Sequence, residues 1–262
     1  MIEGRAAAST PVVPQPEPPC SRIAEDVFAA QARRLWSPAM GTEHMGPLLY
    51  SLVRFCRPRR VLEIGAGYTS AFLLRGLADN AADHRAMQAR RAQSEGREDP
   101  LALPRYYEDE PEHAPRLYCL DTLDHPHTTA AAVPEVAQAL GLDEYLRFVQ
   151  ADFRGYAHTF EADDLPFDLV WMDAGSYAAY RAVLDEYWRL INPAGGLWLI
   201  HSTQTNLEGF AFIAKLKLLQ ASDAFNDLEI LSLLEPHKLT QNSVSLVRRT
   251  TDYEERIFTA RA

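Results

Sequence analysis

Val61-Leu62-Glu63-Ile64-Gly65-Ala66-Gly67 is the stretch whose reading decides the fold. A short apolar run that stops at glycine reads as a buried strand entering a tight turn. The turn opens onto Tyr68-Thr69-Ser70 and an apolar-periodic segment, the start of a helix. Glycines there let the backbone approach a ligand closely, and the helix start offers N–H groups with no intrahelical partner. A dinucleotide-binding turn has the spacing G-x-G-x-x-G, and here the third glycine is missing. That weakens an NAD-dependent oxidoreductase reading. No G-x-x-x-x-G-K-[ST] occurs anywhere, which excludes a P-loop.

Outward from this unit, strand and helix patterns alternate. Strands are expected at 60–64, 117–120, 145–150, 167–172, 197–200, 228–234 and 243–248. Helices are expected through Met45, Leu48, Leu49, Leu52, Val53 and Cys56, and at 69–78, 129–140, 177–191 and 207–219. Such alternation predicts the α/β class: a doubly wound, mostly parallel seven-stranded sheet with helices on both faces. The last two strands are separated by only residues 235–242. That is too short for a parallel crossover, so the last strand should run antiparallel.

Two segments fall outside this rhythm. Residues 1–20 read as an arm: Ile2-Glu3-Gly4-Arg5 looks like a protease-cleavage remnant, and five of the nine residues from Pro11 to Pro19 are proline. Residues 82–116 carry six arginines, eight acids and four prolines where a few linking residues would suffice. We read them as an insertion in a single domain spanning 21–262, a solvated excursion or a lid or dimer contact in which Tyr106 and Tyr107 are the contact-prone residues. The net charge of −10 over 262 residues, with no basic block, argues against a nucleic-acid or anionic-membrane partner. No apolar run is long enough to span a membrane. Cys20, Cys56 and Cys119 show no C-x-x-C spacing, so neither a disulfide scaffold nor a zinc ribbon is expected, and Cys56 and Cys119 read as small buried hydrophobes. The start lacks a basic-plus-apolar leader, which makes a cytoplasmic location the expectation.

The functional signal is the placement of polar residues. Glu63, Gly65, Asp121, Asp152, Asp173 and His201 all fall at or beside the carboxyl ends of the expected strands. Ligands bind doubly wound sheets at those ends.

In this order the residues resemble the class I S-adenosylmethionine (SAM)-dependent methyltransferases. Glu63-Ile64-Gly65-Ala66-Gly67 is similar to their first motif, and Leu120-Asp121 to the acidic end of their second strand. Ala151-Asp152 is similar to their adenine-side acid, and Asp168-Leu169-Val170-Trp171-Met172-Asp173 to their fourth-strand motif. Leu190-Ile191-Asn192-Pro193-Ala194-Gly195-Gly196 looks like the turn before their fifth strand. The likeness covers residues 42–249 and leaves 82–116 unmatched. It implies a Rossmann-like fold, SAM as cofactor and S-adenosylhomocysteine (SAH) as product. Gly65, Ala66 and Gly67, with Tyr68 and Ser70, would lie against the amino-acid portion of the cofactor. Asp121, beside Thr122, would accept from the ribose diol. Asp152 would accept from the adenine amino group, with Phe153 as a stacking surface. Glu63 would orient the turn or reach the cofactor through water, and Asp173 would close the site.

Within that family the chain looks most similar to the catechol and caffeoyl-CoA type of small-molecule O-methyltransferase. Gly41-Thr42-Glu43-His44-Met45-Gly46, the Asp173 region and Ser176-Tyr177 carry this likeness. There are two departures. The metal-dependent members end the fifth strand in Asp-Asn, and this chain has His201-Ser202; they place a lysine after the fourth-strand Asp, and this chain has Gly175-Ser176. Hard divalent ions prefer carboxylate and carbonyl oxygens, so Asp173 alone is a thin site and a metal-independent enzyme is expected. Asp173 with His201 stays open as a site for a softer ion such as Zn²⁺ or Fe²⁺.

His201 is the expected general base, because its ordinary pKa lies near neutrality. Asp173 is its orienting partner or the next candidate base, and Tyr177 completes the catalytic candidates. His44, Tyr180 and His237 are candidates for the substrate side, although Tyr180 shares a stripe with Val183, Leu184 and Tyr187 and so competes for the core. The expectation is methyl transfer to oxygen or nitrogen of a small molecule, a specialised metabolite, by a homodimer. A peptide or protein acceptor, or SAM binding without turnover, remains open.

Overall fold

The computed structural model describes residues 19–93, 113–173, 175–221 and 228–250. The arm through residue 18 and the part of the insertion holding Tyr106 and Tyr107 lie outside the described residues.

Seven strands form one sheet: β1 (Arg60–Ile64), β2 (Arg116–Asp121), β3 (Leu146–Gln150), β4 (Leu169–Met172), β5 (Leu197–His201), β6 (Leu228–Leu234) and β7 (Ser243–Arg249). Their order is β3-β2-β1-β4-β5-β7-β6. The first five run parallel, and β7 lies antiparallel to both β5 and β6, as the short 235–242 connection requires. Successive strand residues point to opposite faces, and both faces of the central strands are covered. Leu62, Ile64, Val170, Met172, Trp198 and Ile200 pack on one side, while Val61, Leu117, Cys119, Leu169, Trp171 and Leu199 pack on the other. Burial on both faces is why these strands read as continuous apolar runs.

The helices are α1 (Asp26–Arg33), α2 (Met45–Cys56), α3 (Tyr68–Gln93), α4 (Val133–Ala139), α5 (Tyr177–Ala182) and α6 (Leu207–Gln220). Helix α2 stops where Arg57 turns left-handed (φ 49°) ahead of Pro58. Helix α4 begins at Val133-Pro134, after a 3₁₀ turn at Ala130–Ala132, because proline suits a helix start and not its interior. Helix α5 widens into a π turn at Val183–Tyr187 and ends in a 3₁₀ turn, yet Tyr180, Val183, Leu184, Tyr187 and Trp188 are all buried.

Two expectations need correction, and one helix was not expected. Helix α3 does not end near Ala78 but runs to Gln93, so residues 82–93 of the supposed insertion continue it. The apolar stripe fades there, but an Ala-, Arg- and Gln-rich stretch without Gly or Pro sustains a helix. Buried Asp79 braces it, accepting from Tyr50 Oη at 2.8 Å and pairing with Arg22 at 2.8 Å and Arg75 at 2.5 Å. Helix α1 was not foreseen; Phe28 and Ala32 bury its inner face. Cys56 is exposed at the end of α2, whereas Cys119 is buried.

Candidate active site

Strand order reverses between β1 and β4, and the glycine turn and Asp173 meet at that point. Gly65 N donates to the Leu120 carbonyl at 3.0 Å, and Asp173 N to the Ile64 carbonyl at 2.9 Å. Gly65 has φ +86°, and a Cβ on it would stand 2.9 Å from the Asp173 carbonyl oxygen, so only glycine fits. A shallow cleft, partly open to solvent, lies over this turn. Gly65, Ala66, Gly67, Tyr68 and Asp173 line it. Its opposite wall was not anticipated and comes from Leu35, Met40, Thr42 and the segment His127–Thr129. Thr129 Oγ1 donates to the Leu35 carbonyl at 2.8 Å, which joins the two parts of that wall. The only sequence signal for it was the Gly41–Gly46 stretch.

Asp121 closes the turn from β2. Its Oδ2 accepts from Ala66 N at 2.9 Å and its Oδ1 from Leu123 N at 2.7 Å. A carboxylate offers about four acceptor positions, so each oxygen keeps one for a ligand hydroxyl. Thr122 beside it is exposed.

Glu63 and Ser70 sit beneath the turn rather than against the cleft; both are fully buried. Glu63 accepts from Thr69 Oγ1 at 2.6 Å, Ser70 Oγ at 2.5 Å and Cys119 Sγ at 3.1 Å. Ser70 Oγ in turn accepts from Gly67 N at 2.9 Å. The carboxyl therefore orients the glycine turn through the helix start, the first of the two roles expected for it. Burial, which outweighs the hydroxyl donors, pushes its pKa up to about 7.

Asp152, just past β3, pairs with Arg154 at 2.6 Å, a contact that lowers its pKa. Phe153 packs against the core next to Tyr187, whose hydroxyl donates to the Phe153 carbonyl at 2.6 Å.

Asp173 and His201 end the neighbouring strands β4 and β5, so the sheet itself places them together. His201 Nδ1 lies 2.7 Å from Asp173 Oδ1. The ring packs on Trp171, with centroids 5.6 Å apart, and is only 4% exposed. Its Nε2 is buried and makes no hydrogen bond of good geometry among the described residues. Burial disfavours the imidazolium, and Asp173 outweighs it with help from the Gln241 backbone, so the pKa lies above the ordinary histidine value. Asp173 faces the cleft and His201 stands behind it.

Tyr177 starts α5 with its backbone N–H held by Glu208 and its ring partly exposed, 5.9 Å from Phe212. Tyr180, a candidate for the substrate side, is instead fully buried in the core; the helical stripe won. Its hydroxyl has no partner among the described residues, and burial raises its pKa to about 12. His44 and His237, the other two substrate candidates, meet each other with ring centroids 5.2 Å apart, and neither is among the residues lining the cleft.

This strand order, with a glycine turn after β1 and an acid at the end of β2, defines the Rossmann-like methyltransferase fold. The family model described as "Methyltransferase domain" matches residues 62–203, and the chain belongs to that family. Among solved structures, the chain is similar to an O-methyltransferase from Streptomyces achromogenes involved in tomaymycin synthesis, solved with SAM. The two share 17% identity and a TM-score of 0.58 over 86% of this chain and 90% of that one. A SAH-bound methyltransferase from Podospora anserina is similar at 16% identity and TM-score 0.56, over 92% and 100% of the two chains. An O-methyltransferase from Bacillus cereus, in complex with SAH, is similar at 17% identity and TM-score 0.51, over 90% and 92%. No curated protein matches the chain at a significant level. No helix among the described residues is long and apolar enough to cross a membrane.

Proposed function

We propose that the protein moves a methyl group from SAM to an oxygen or nitrogen of a small-molecule acceptor without a catalytic metal. In this reading residues 21–262 act as one methyltransferase domain. The observation that carries it is the Asp173–His201 pair standing at the glycine turn, with Asp173 on the cleft and the buried imidazole behind it.

The residues present suit the cofactor. Side chains are excluded from the floor at Gly65, where the backbone comes close to Asp173. Asp121, bonded to the Ala66 N–H, retains acceptor positions for a diol, and Ala66, Gly67 and Tyr68 line the cleft. When bound, SAM supplies a methyl group already activated for displacement. The chain's own task is to align the acceptor and take its proton. Asp173, on the cleft, takes the acceptor's proton and passes it to His201 Nδ1, and the raised pKa lets the imidazole hold it. Asp173 has an imidazole beside it rather than the ring of oxygens a hard ion wants. That donor set supports proton transfer in preference to Mg²⁺ catalysis.

Calorimetry with SAM and SAH tests the reading. Wild-type protein is expected to bind both, and absence of binding would overturn it. Asp121→Asn is expected to weaken SAH binding by roughly ten- to a hundredfold, the loss of charged acceptors for a diol. Unchanged affinity in that variant would place the ribose elsewhere.

A further inference from the structure

We propose that His44, Glu235 and His237 form a binding site for a borderline divalent ion of the Zn²⁺ type, which pins the β6–β7 loop to the segment entering α2. The three residues are brought together from opposite ends of the domain. His44 Nδ1 lies 2.5 Å from Glu235 Oε2, and His237 Nε2 lies 3.7 Å from the same oxygen. One ligand atom from each residue lies within 4.8 Å of the other two.

The chemistry and spacing suit such an ion. Two imidazoles and one carboxylate are a donor set that Zn²⁺ takes, with a fourth position left for water. Metal–ligand distances of about 2.0–2.1 Å place tetrahedral donors about 3.3 Å apart. The observed 2.5 and 3.7 Å separations bracket that spacing, so the donor atoms already stand near the distances an ion would set. Both imidazoles are exposed and reachable from solvent, while Glu235 is mostly buried and held in place. Lys238 does the holding: its Nζ lies 3.2 Å from Glu235 Oε2 and 2.9 Å from Glu43 Oε1. Its positive charge opposes a bound cation, and Glu43 offsets that charge. Such outer partners fix the orientation of a ligating carboxylate.

The location gives the ion a task. Lys238 Nζ donates to the Gly41 carbonyl at 2.9 Å, and Gln241 Nε2 to the Ala39 carbonyl at 3.2 Å. Met40 and Thr42, between those contacts and His44, line the cleft. The same loop carries Gln241, whose backbone bears on His201. An ion at His44, Glu235 and His237 would lock the two margins that these hydrogen bonds only join. None of this depends on the cofactor or on the reaction proposed above.

The test is titration of the full chain, freed of any purification tag, with Zn²⁺ by calorimetry and with Co²⁺ by visible absorption. Thermal unfolding is followed with and without Zn²⁺. The wild type is expected to bind one ion, to show a low-coordinate Co²⁺ spectrum and to unfold at a higher temperature with Zn²⁺ present. His44→Asn and His237→Asn are each expected to weaken binding by at least about tenfold, and the double variant to lose the spectrum and the thermal shift. Unfolding of the ion-free double variant confirms that it is folded. The proposal is overturned if the wild type binds no ion, or if the double variant keeps the full shift. It is equally overturned if the binding survives in the double variant and is lost in His201→Asn.

Discussion

Replacing His201 with Asn is expected to lower methyl transfer by about 10²- to 10⁴-fold at neutral pH, the usual contribution of a positioned general base. SAH affinity should stay close to that of the wild type, because the imidazole stands behind Asp173 and not among the cleft-lining residues. The pH profile makes the test specific. A base accepts a proton only when neutral, so kcat/KM should rise with pH and level off above the pKa of His201. That pKa lies above the ordinary value of about 6.5 for histidine, since the Asp173 carboxylate, with the Gln241 backbone, outweighs burial and the opposing charge of Lys238. Asp173→Asn removes the dominant favourable charge, so the limb should move to lower pH while the plateau falls as the ring loses its orienting partner. Measurement of SAH release against pH for the wild type and both variants decides the matter. A His201→Asn enzyme with the wild-type rate and profile would reject the pair as the base.

Why the pair could be foreseen, and the cleft around it only in part, follows from where each residue sits. Asp173 and His201 each end an apolar run buried on both sides, and adjacent parallel strands bring such ends together. The central strands were legible for the same reason, and Gly65 because no other residue tolerates its backbone beside Asp173. The far wall was not legible. Leu35 and Thr129 meet across 94 positions, a contact set by how α1 packs on α3 and α4, and α1 itself shows only a brief apolar face. The length of α3 was hidden because apolar periodicity reports an apolar buried face, whereas past Ala78 the buried positions include the polar Asp79, Asn80 and His84. Tyr180 was a conflict between a polar tip and a helical stripe, and the stripe prevailed because its ring fills the core near Phe212. His44 and His237 were each visible as rim residues. Only the antiparallel return of β7 between β5 and β6 turns the 235–242 loop back onto the entry to α2.

Glu63 carries the second large effect, and its sign runs opposite to that of most surface carboxylates. Burial lifts its pKa from 4.5 to about 7 in the folded protein, against the pull of the Ser70, Thr69 and Cys119 donors. Between those values the folded state holds a proton that the unfolded chain has released. Stability from this group is therefore complete below pH 4.5 and is lost as pH rises through about 7. The shift corresponds to about 3 kcal/mol. Glu63→Gln is neutral at every pH and cannot show this loss. Urea unfolding at pH 5 and pH 8 should find the wild type losing ground to the variant by about that amount as pH rises. Parallel pH dependences would show that Glu63 is ionised in the folded protein throughout. The same substitution reaches the site, because the Glu63 carboxyl positions Ser70, and Ser70 holds the Gly67 N–H. A raised Kd for SAH in Glu63→Gln, with the His201-dependent limb of the pH profile unmoved, is the expected signature of a brace that shapes the glycine turn without touching the reacting groups.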